Sequence, residues 1–176
     1  ACLRKCIYSS LSYTPQLWQI MEPLISKFDW QQKNQMYKNI WEQELELIAT
    51  SLAKELREIW GKYIIGLRWD LGMGKTTFAR AFIRSYEDTP MLEVTSPTYT
   101  YYKLYPNVSH FDLYRLEEYD HFVALGWEEY LDAATIALVE WPDLIKDYYW
   151  FDIMIELSGE RDGERRDIQI THSTSK

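Results

Sequence analysis

An α/β fold is predicted by three features of this 176-residue sequence. Helix-like and strand-like periods alternate along it, a glycine-bearing loop stands between an apolar run and an amphipathic segment, and its last apolar stretches alternate in twos around a turn. At 47% hydrophobic and 26% charged residues, the chain has the composition of a globular domain able to bury a sizeable core. That composition excludes collagen-like and disordered classes. The length is that of one domain of ordinary size.

Taken in order, Thr14-Pro15 sets a hydroxyl cap before a proline suited to the first helical turn, leading into Leu17, Ile20, Met21 and Leu24. Pro23 interrupts or bends that helix. Residues 30–40 mix polar and aromatic side chains without a clear period and read as a linker or surface attachment. The expected organisation is therefore an N-terminal extension of unclear role, 1–40, and a domain over 41–172. From Glu42 the signal sharpens. Leu45, Ile48, Leu52, Leu56 and Ile59 recur every three to four residues, and Glu42, Glu44 and Glu46 crowd the end where the helix dipole favours acids. Tyr63 to Leu67, after Gly61, is a short apolar run typical of a buried strand, and Thr77 to Tyr86 reads as a helix. A strand over Val108 to Leu113, a helix over Glu117 to Tyr130 and an apolar strand over Thr135 to Val139, closed by Glu140, continue the alternation. Finally Ile153, Ile155 and Leu157 alternate, Asp162-Gly163 offers a turn, and Ile168 with Ile170 alternates again, predicting a C-terminal β-hairpin.

Charge narrows the function. With 27 acidic against 19 basic residues, net −8, the surface repels phosphate backbones at long range, so a freestanding electrostatic nucleic-acid binder is disfavoured and any RNA would need a basic partner. Cys2 and Cys6 are too few for a zinc site and read as reduced, incidental thiols. No run approaches the roughly 18 apolar residues of a membrane span, and the first 30 residues lack an apolar signal core, so the expected compartment is the cytoplasm, with no membrane partner. Eight Trp and fourteen Tyr supply large core or interface area without assigning it.

The chemistry begins at Gly72-Met73-Gly74-Lys75-Thr76-Thr77, between the expected strand and the expected helix. In a P-loop, glycines let backbone N–H groups turn inward around phosphate oxygens, the helix N-terminus adds its positive end, a lysine neutralises charge and a hydroxyl binds Mg²⁺. Lys75 and Thr76 occupy the last two positions; the bland alternative is a helix start with a solvated lysine. A second signal is Ile136-Ala137-Leu138-Val139-Glu140, which puts a carboxylate at the tip of a buried strand, where it can hold Mg²⁺ or orient an attacking water. Asp112 is another candidate acid, with an Arg115 partner or a turn cap as its structural alternative. His110 and His121 read as packing or surface residues. Ser96-Pro97-Thr98-Tyr99-Thr100 places hydroxyls around a proline, where Thr98 could respond to a γ-phosphate as a switch or simply sit in a turn.

Four ordered motifs closely resemble the TsaE (YjeE) family of bacterial P-loop ATPases of tRNA threonylcarbamoyladenosine (t6A) biosynthesis. They are Asp70-Leu71-Gly72-Met73-Gly74-Lys75-Thr76-Thr77-Phe78, Ser96-Pro97-Thr98-Tyr99-Thr100, His110-Phe111-Asp112-Leu113-Tyr114-Arg115-Leu116 and Leu138-Val139-Glu140-Trp141-Pro142. The resemblance spans about Glu42 to Thr171. It implies a P-loop NTPase-like three-layer fold with a central mixed β-sheet, and Mg²⁺-dependent ATP hydrolysis. It also implies action on the TsaB–TsaD complex, which modifies adenosine 37 of ANN-decoding tRNAs, so that tRNA is met only indirectly. Carried over by position, Asp70 to Thr77 would form the nucleotide cradle, Lys75 would grip the β- and γ-phosphates, and Thr76 with Glu140 would serve Mg²⁺. Asp112 would be a further catalytic acid, Thr98 would sit in the switch, and Trp141 would support the site or face a partner.

Two departures stand out. Trp69 holds the place of the first glycine in G-x-x-x-x-G-K-[ST], where a β-carbon costs about 1–3 kcal/mol if the backbone needs positive φ and an indole competes for nucleotide space. Leu45 and Ala49 stand where the family usually has Thr and Gly. The expectation is an intact fold with altered nucleotide contacts, so that Trp69→Gly should strengthen ATP binding. Two other readings stay open: a nucleotide-binding-impaired interaction module of the same fold, and a small-molecule P-loop kinase.

Overall fold

The computed structural model describes residues 33–69, 74–159 and 163–173. The helix expected over residues 14–24, both cysteines, the loop residues Asp70, Leu71, Gly72 and Met73, and Asp162 of the hairpin turn lie outside them.

Seven strands form one mixed sheet: β1 (Asn34–Trp41), β2 (Tyr63–Trp69), β3 (Tyr102–Leu104), β4 (Val108–Asp112), β5 (Ile136–Glu140), β6 (Ile153–Ser158) and β7 (Arg165–His172). Their order is β1-β7-β6-β2-β5-β4-β3. The central four, β6, β2, β5 and β4, run parallel, and the β7-β1 pair and β3 add antiparallel edges. The expected strands and C-terminal hairpin are present, and the fold is the α/β, P-loop-like one expected. Residues 34–40, part of the segment 30–40 read from sequence as a linker or surface attachment, belong instead to β1, bonded to β7 along the sheet edge.

Helix α1 (Glu42–Ile59) follows β1 directly, with Glu42 and Glu44 in its first turn and the Glu44 carboxylate accepting the Trp41 N–H at 2.7 Å. Leu45, Ile48, Leu52 and Leu56 are buried as their spacing predicts, whereas Ile59, at the last position, is half exposed. Helix α2 (Lys75–Tyr86) packs beside α1 and starts two residues earlier than its apolar pattern suggests. The helix expected over 117–130 is two short ones, α3 (Tyr119–Ala124) and α4 (Trp127–Ala133), because Gly126 takes φ +69° between them and ends the first.

The period of two along the strands sorts side chains onto the two faces. Ile65, Leu67 and Trp69 of β2 share a face with His110 and Asp112 of β4, Leu138 and Glu140 of β5, and Ile153, Ile155 and Leu157 of β6, since these residues stand opposite one another in register. This face lies under α2: Phe78 meets the Trp69 indole edge-on at 6.3 Å between centroids. On the other face Phe111, Ala137 and Val139 join Phe122, Trp127 and Leu131 of α3 and α4 in a second core. Gly66 belongs to that face, where a β-carbon would run into the Met154 thioether. The layers are therefore helix, sheet, helix.

Candidate active site

The parallel strands β4 and β5 end side by side, with Asp112 opposite Glu140. Both carboxylates are about 99% buried, as is His110. Four segments far apart in sequence meet there. Lys75, the first residue of α2, brings Nζ to 3.8 Å from Glu140 Oε2 and to 5.2 Å from the centre of the Trp141 ring. His110 Nε2 lies 2.7 Å from Glu140 Oε1. Thr98 donates its hydroxyl to Asp112 Oδ2 at 2.6 Å and lies 2.6 Å from the Ser96 hydroxyl.

The backbone holds these tips firmly. Glu140 O accepts the Leu113 N–H at 3.1 Å, and the Trp141 N–H donates to Leu67 O at 3.2 Å, so the chain is bonded to both neighbours where it leaves β5. Trp141 itself is left-handed, φ 58° and ψ 56°, a conformation that costs a non-glycine residue about 1–2 kcal/mol. Its ring packs at a tilt against Tyr114, 5.0 Å between centroids, and flanks the lysine, so the strained turn places an aromatic face beside Lys75 and Glu140.

Glycine is required at 74. It caps α2 with φ +90°, and a β-carbon there would be strained and would lie 3.3 Å from Leu45 Cδ2. With the N–H groups of the first helical turn lacking intrahelical partners, this end is suited to an anion. A cleft of about 560 Å³ opens beside it, lined by Trp41, Glu42, Leu45, Gly74, Glu164 and Arg166. Leu45 thus gives the cleft an apolar wall where the family pattern would put a hydroxyl, and Ala49 is fully buried.

A buried carboxylate oxygen without a hydrogen bond is the kind of ligand a hard cation such as Mg²⁺ takes. Glu140 Oε2 is buried without a hydrogen-bond partner, and its neighbour across the site is the Lys75 ammonium. Among the described residues no cluster of three or more His, Cys, Asp or Glu could cage a metal by itself. One carboxylate plus the Thr76 hydroxyl suits an ion that takes its other ligands from water and phosphate.

The match to the family model described as "Threonylcarbamoyl adenosine biosynthesis protein TsaE" covers residues 41–168. The chain belongs to the TsaE family. The tRNA threonylcarbamoyladenosine biosynthesis protein TsaE of Rickettsia felis is 36% identical over 111 residues, 60% of this chain and 61% of the relative. That of Bacillus subtilis is 35% identical over 115 residues, 61% and 68% of the two chains, and that of Aquifex aeolicus 32% over 119, 65% and 82%. The match thus spans about three fifths of the length of the Rickettsia felis relative. The crystal structure of Bacillus subtilis YdiB superposes with a TM-score of 0.55 at 25% identity, over 80% of this chain and 86% of that one.

Against the TsaE motifs, the structure gathers Lys75, Glu140 and Trp141 at one point, and Thr98 with Asp112 beside it. Asp112 meets its structural alternative as well, since Oδ1 accepts the Tyr114 N–H at 3.0 Å as a turn cap. Arg115 is not its partner but lies over the Tyr99 ring, 4.4 Å from the centroid. Thr76 lies in the first turn of α2, next to Lys75. Thr77 donates its hydroxyl to Glu42 Oε1 at 2.7 Å. Trp69 corrects the sequence reading: it has ordinary strand backbone, without positive φ, and its indole is 3% exposed inside the core against Phe78. The strain assigned to that position does not arise. His110 is the site residue the sequence reading passed over; its spacing of two from Asp112 on a strand was the available signal.

Proposed function

We propose that this TsaE-family chain is the Mg²⁺-dependent ATP-binding and ATP-hydrolysing component of tRNA t6A37 modification, working in the cytoplasm on the TsaB–TsaD complex and meeting tRNA only through it. The observation that carries this reading is the meeting of Lys75 and Glu140, 3.8 Å apart beside Gly74, because a P-loop lysine and a strand-tip acid are the two charges a bound magnesium triphosphate requires.

In this reading the first turn of α2 and Lys75 receive the phosphates, the lysine exchanging its carboxylate partner for phosphate oxygens. Thr76 and Glu140 Oε2 would hold Mg²⁺, whose chemistry is to neutralise charge on the transferring phosphoryl group. Glu140, with Asp112 next to it, orients the water whose oxygen bonds the γ-phosphorus as the bond to the bridging oxygen breaks, giving ADP and phosphate. Thr98 ties the switch segment to Asp112. The cleft beside Gly74 has room for the nucleoside. The burial of Trp69 against Phe78 favours this reading over the impaired module.

Titration with Mg²⁺-ATP and measurement of phosphate release, for the parent and Lys75→Ala, each alone and with TsaB–TsaD, test the proposal. The parent should bind saturably and the variant should lose about 10²–10³-fold in turnover. Equal behaviour of the two proteins sinks the reading.

A further inference from the structure

We infer that His110 is a positioning residue: its ring fixes the rotation of the Glu140 carboxylate so that Oε2 alone is presented to Lys75 and the phosphate end of the site. The inference rests on the ATPase reading above and adds a residue to it.

The geometry is specific. His110 stands opposite Leu138 in the β4–β5 register, so it is the diagonal neighbour of Glu140 on the same sheet face. Both side chains are almost wholly buried, at 1% and 2% exposure, and Nε2 and Oε1 are 2.7 Å apart. A carboxylate can only accept, so Nε2 carries the proton of this bond. The other nitrogen, Nδ1, is buried with no hydrogen-bond partner, so Glu140 is the ring's one hydrogen-bonded contact.

The consequence lies in the two oxygens of one carboxylate. Oε1 is held by the imidazole, while Oε2 has no hydrogen bond and faces the ammonium of Lys75 at 3.8 Å. A carboxylate free to rotate would exchange its oxygens; one held at Oε1 keeps Oε2 where a cation or water meets it. This is the arrangement in which an outer hydrogen bond orients a ligating group, and losing such a partner typically costs 10–100-fold in metal affinity or activity. The same strand holds Asp112 two residues on, with Thr98 bonded to it, so β4 aligns both acids of the site.

The experiment uses the full chain and the variants His110→Gln, which keeps a donor at similar reach, and His110→Leu, which removes it. In ¹⁵N-histidine spectra of the ligand-free parent, assigned by loss of the signal in His110→Gln, Nε2 should be protonated, and Glu140→Ala should shift both ring nitrogens. A bare Nε2, or spectra indifferent to Glu140→Ala, overturns the inference whatever the ATPase assay gives. In steady-state hydrolysis, His110→Leu should lose about 10–100-fold in kcat with KM for ATP within about 2-fold, and His110→Gln should recover most of the loss. Mn²⁺ affinity in the ADP complex should weaken in His110→Leu and recover in His110→Gln. A parent that turns over ATP, with His110→Leu equal to it, overturns the inference alone. A parent without turnover sinks the ATPase reading and this inference with it. Loss of kcat in both variants in step with their thermal midpoints would mark a merely structural contact and overturn the positioning role.

Discussion

Two charged clusters sit on opposite faces of the same sheet, and they differ in nearly every physical respect. Under α2, Lys75, His110 and Glu140 meet with side-chain exposures of 17%, 1% and 2%, and buried atoms of the acid and the imidazole are left without hydrogen bonds. On the other face Arg68 reaches Asp143 at 2.8 Å and Glu156 at 2.6 Å, all three side chains being 40–50% exposed, and Lys146 adds a third link at 3.3 Å. The exposed cluster is fully partnered and inexpensive; it joins β2 and β6 to the turn after Trp141. The buried one is incompletely partnered in a medium where that is costly, so it is better suited to chemistry than to stability. Arg68 and Trp69, adjacent in β2, show how the strand's period of two separates these roles.

The contrast is broken most directly at Glu140. Glu140→Gln keeps an acceptor for His110 but removes the charge, so turnover should fall by about 10²–10⁴-fold while the folded state is little affected. Single-turnover hydrolysis beside a urea titration checks this. A variant that unfolds more easily yet hydrolyses ATP normally would make the buried cluster structural and erase the distinction.

Next in size is Trp69→Gly. The indole is buried between β2, β6 and α2, opposite Leu157 in register, so its removal should cost about 3–5 kcal/mol by leaving a cavity. The lowered urea midpoint should come without any gain in ATP affinity. Tighter nucleotide binding at an unchanged midpoint would show that the side chain acts on the cradle after all, as the motif comparison suggested.

That reversal illustrates what could be read from the residues and what could not. The spacing from Leu45 to Leu56 specified α1 because a buried helix face imposes it, and Lys75 and Glu140 were legible because both end elements whose apolar patterns are plain. The backbone strain expected at Trp69 does not arise because the residue still belongs to β2, which a motif aligned to glycine does not announce. β1 was missed for a local reason: the register shifts between Tyr37 and Ile40, where Asn39 takes φ 58°, so the alternation that announces a strand is interrupted. β3 has three residues, too few to show a period. The break at Gly126 hides inside a helical pattern that continues across it. For His110 the spacing of two from Asp112 was legible but its partner was not, since that is fixed by the pairing of β4 with β5, a long-range fact that no local window contains.

The smallest effect is expected at the exposed cluster. Arg68 holds the Asp143 carboxyl below its ordinary value of 3.8, chiefly through their hydrogen bond. A group whose folded value is depressed contributes stability above its unfolded value and loses it as the pH falls through the folded one. Arg68→Met should therefore cost no more than about 1 kcal/mol at neutral pH, because solvent screens side chains this exposed. Its deficit against the parent should shrink as the pH drops below 3.8. ATP turnover should stay at the parent level. Urea midpoints at several pH values, with phosphate release measured at neutrality, read all three. A large turnover loss in Arg68→Met would mean that the network positions Trp141 through the turn at Pro142–Leu144, and the two faces of the sheet would then belong to one site.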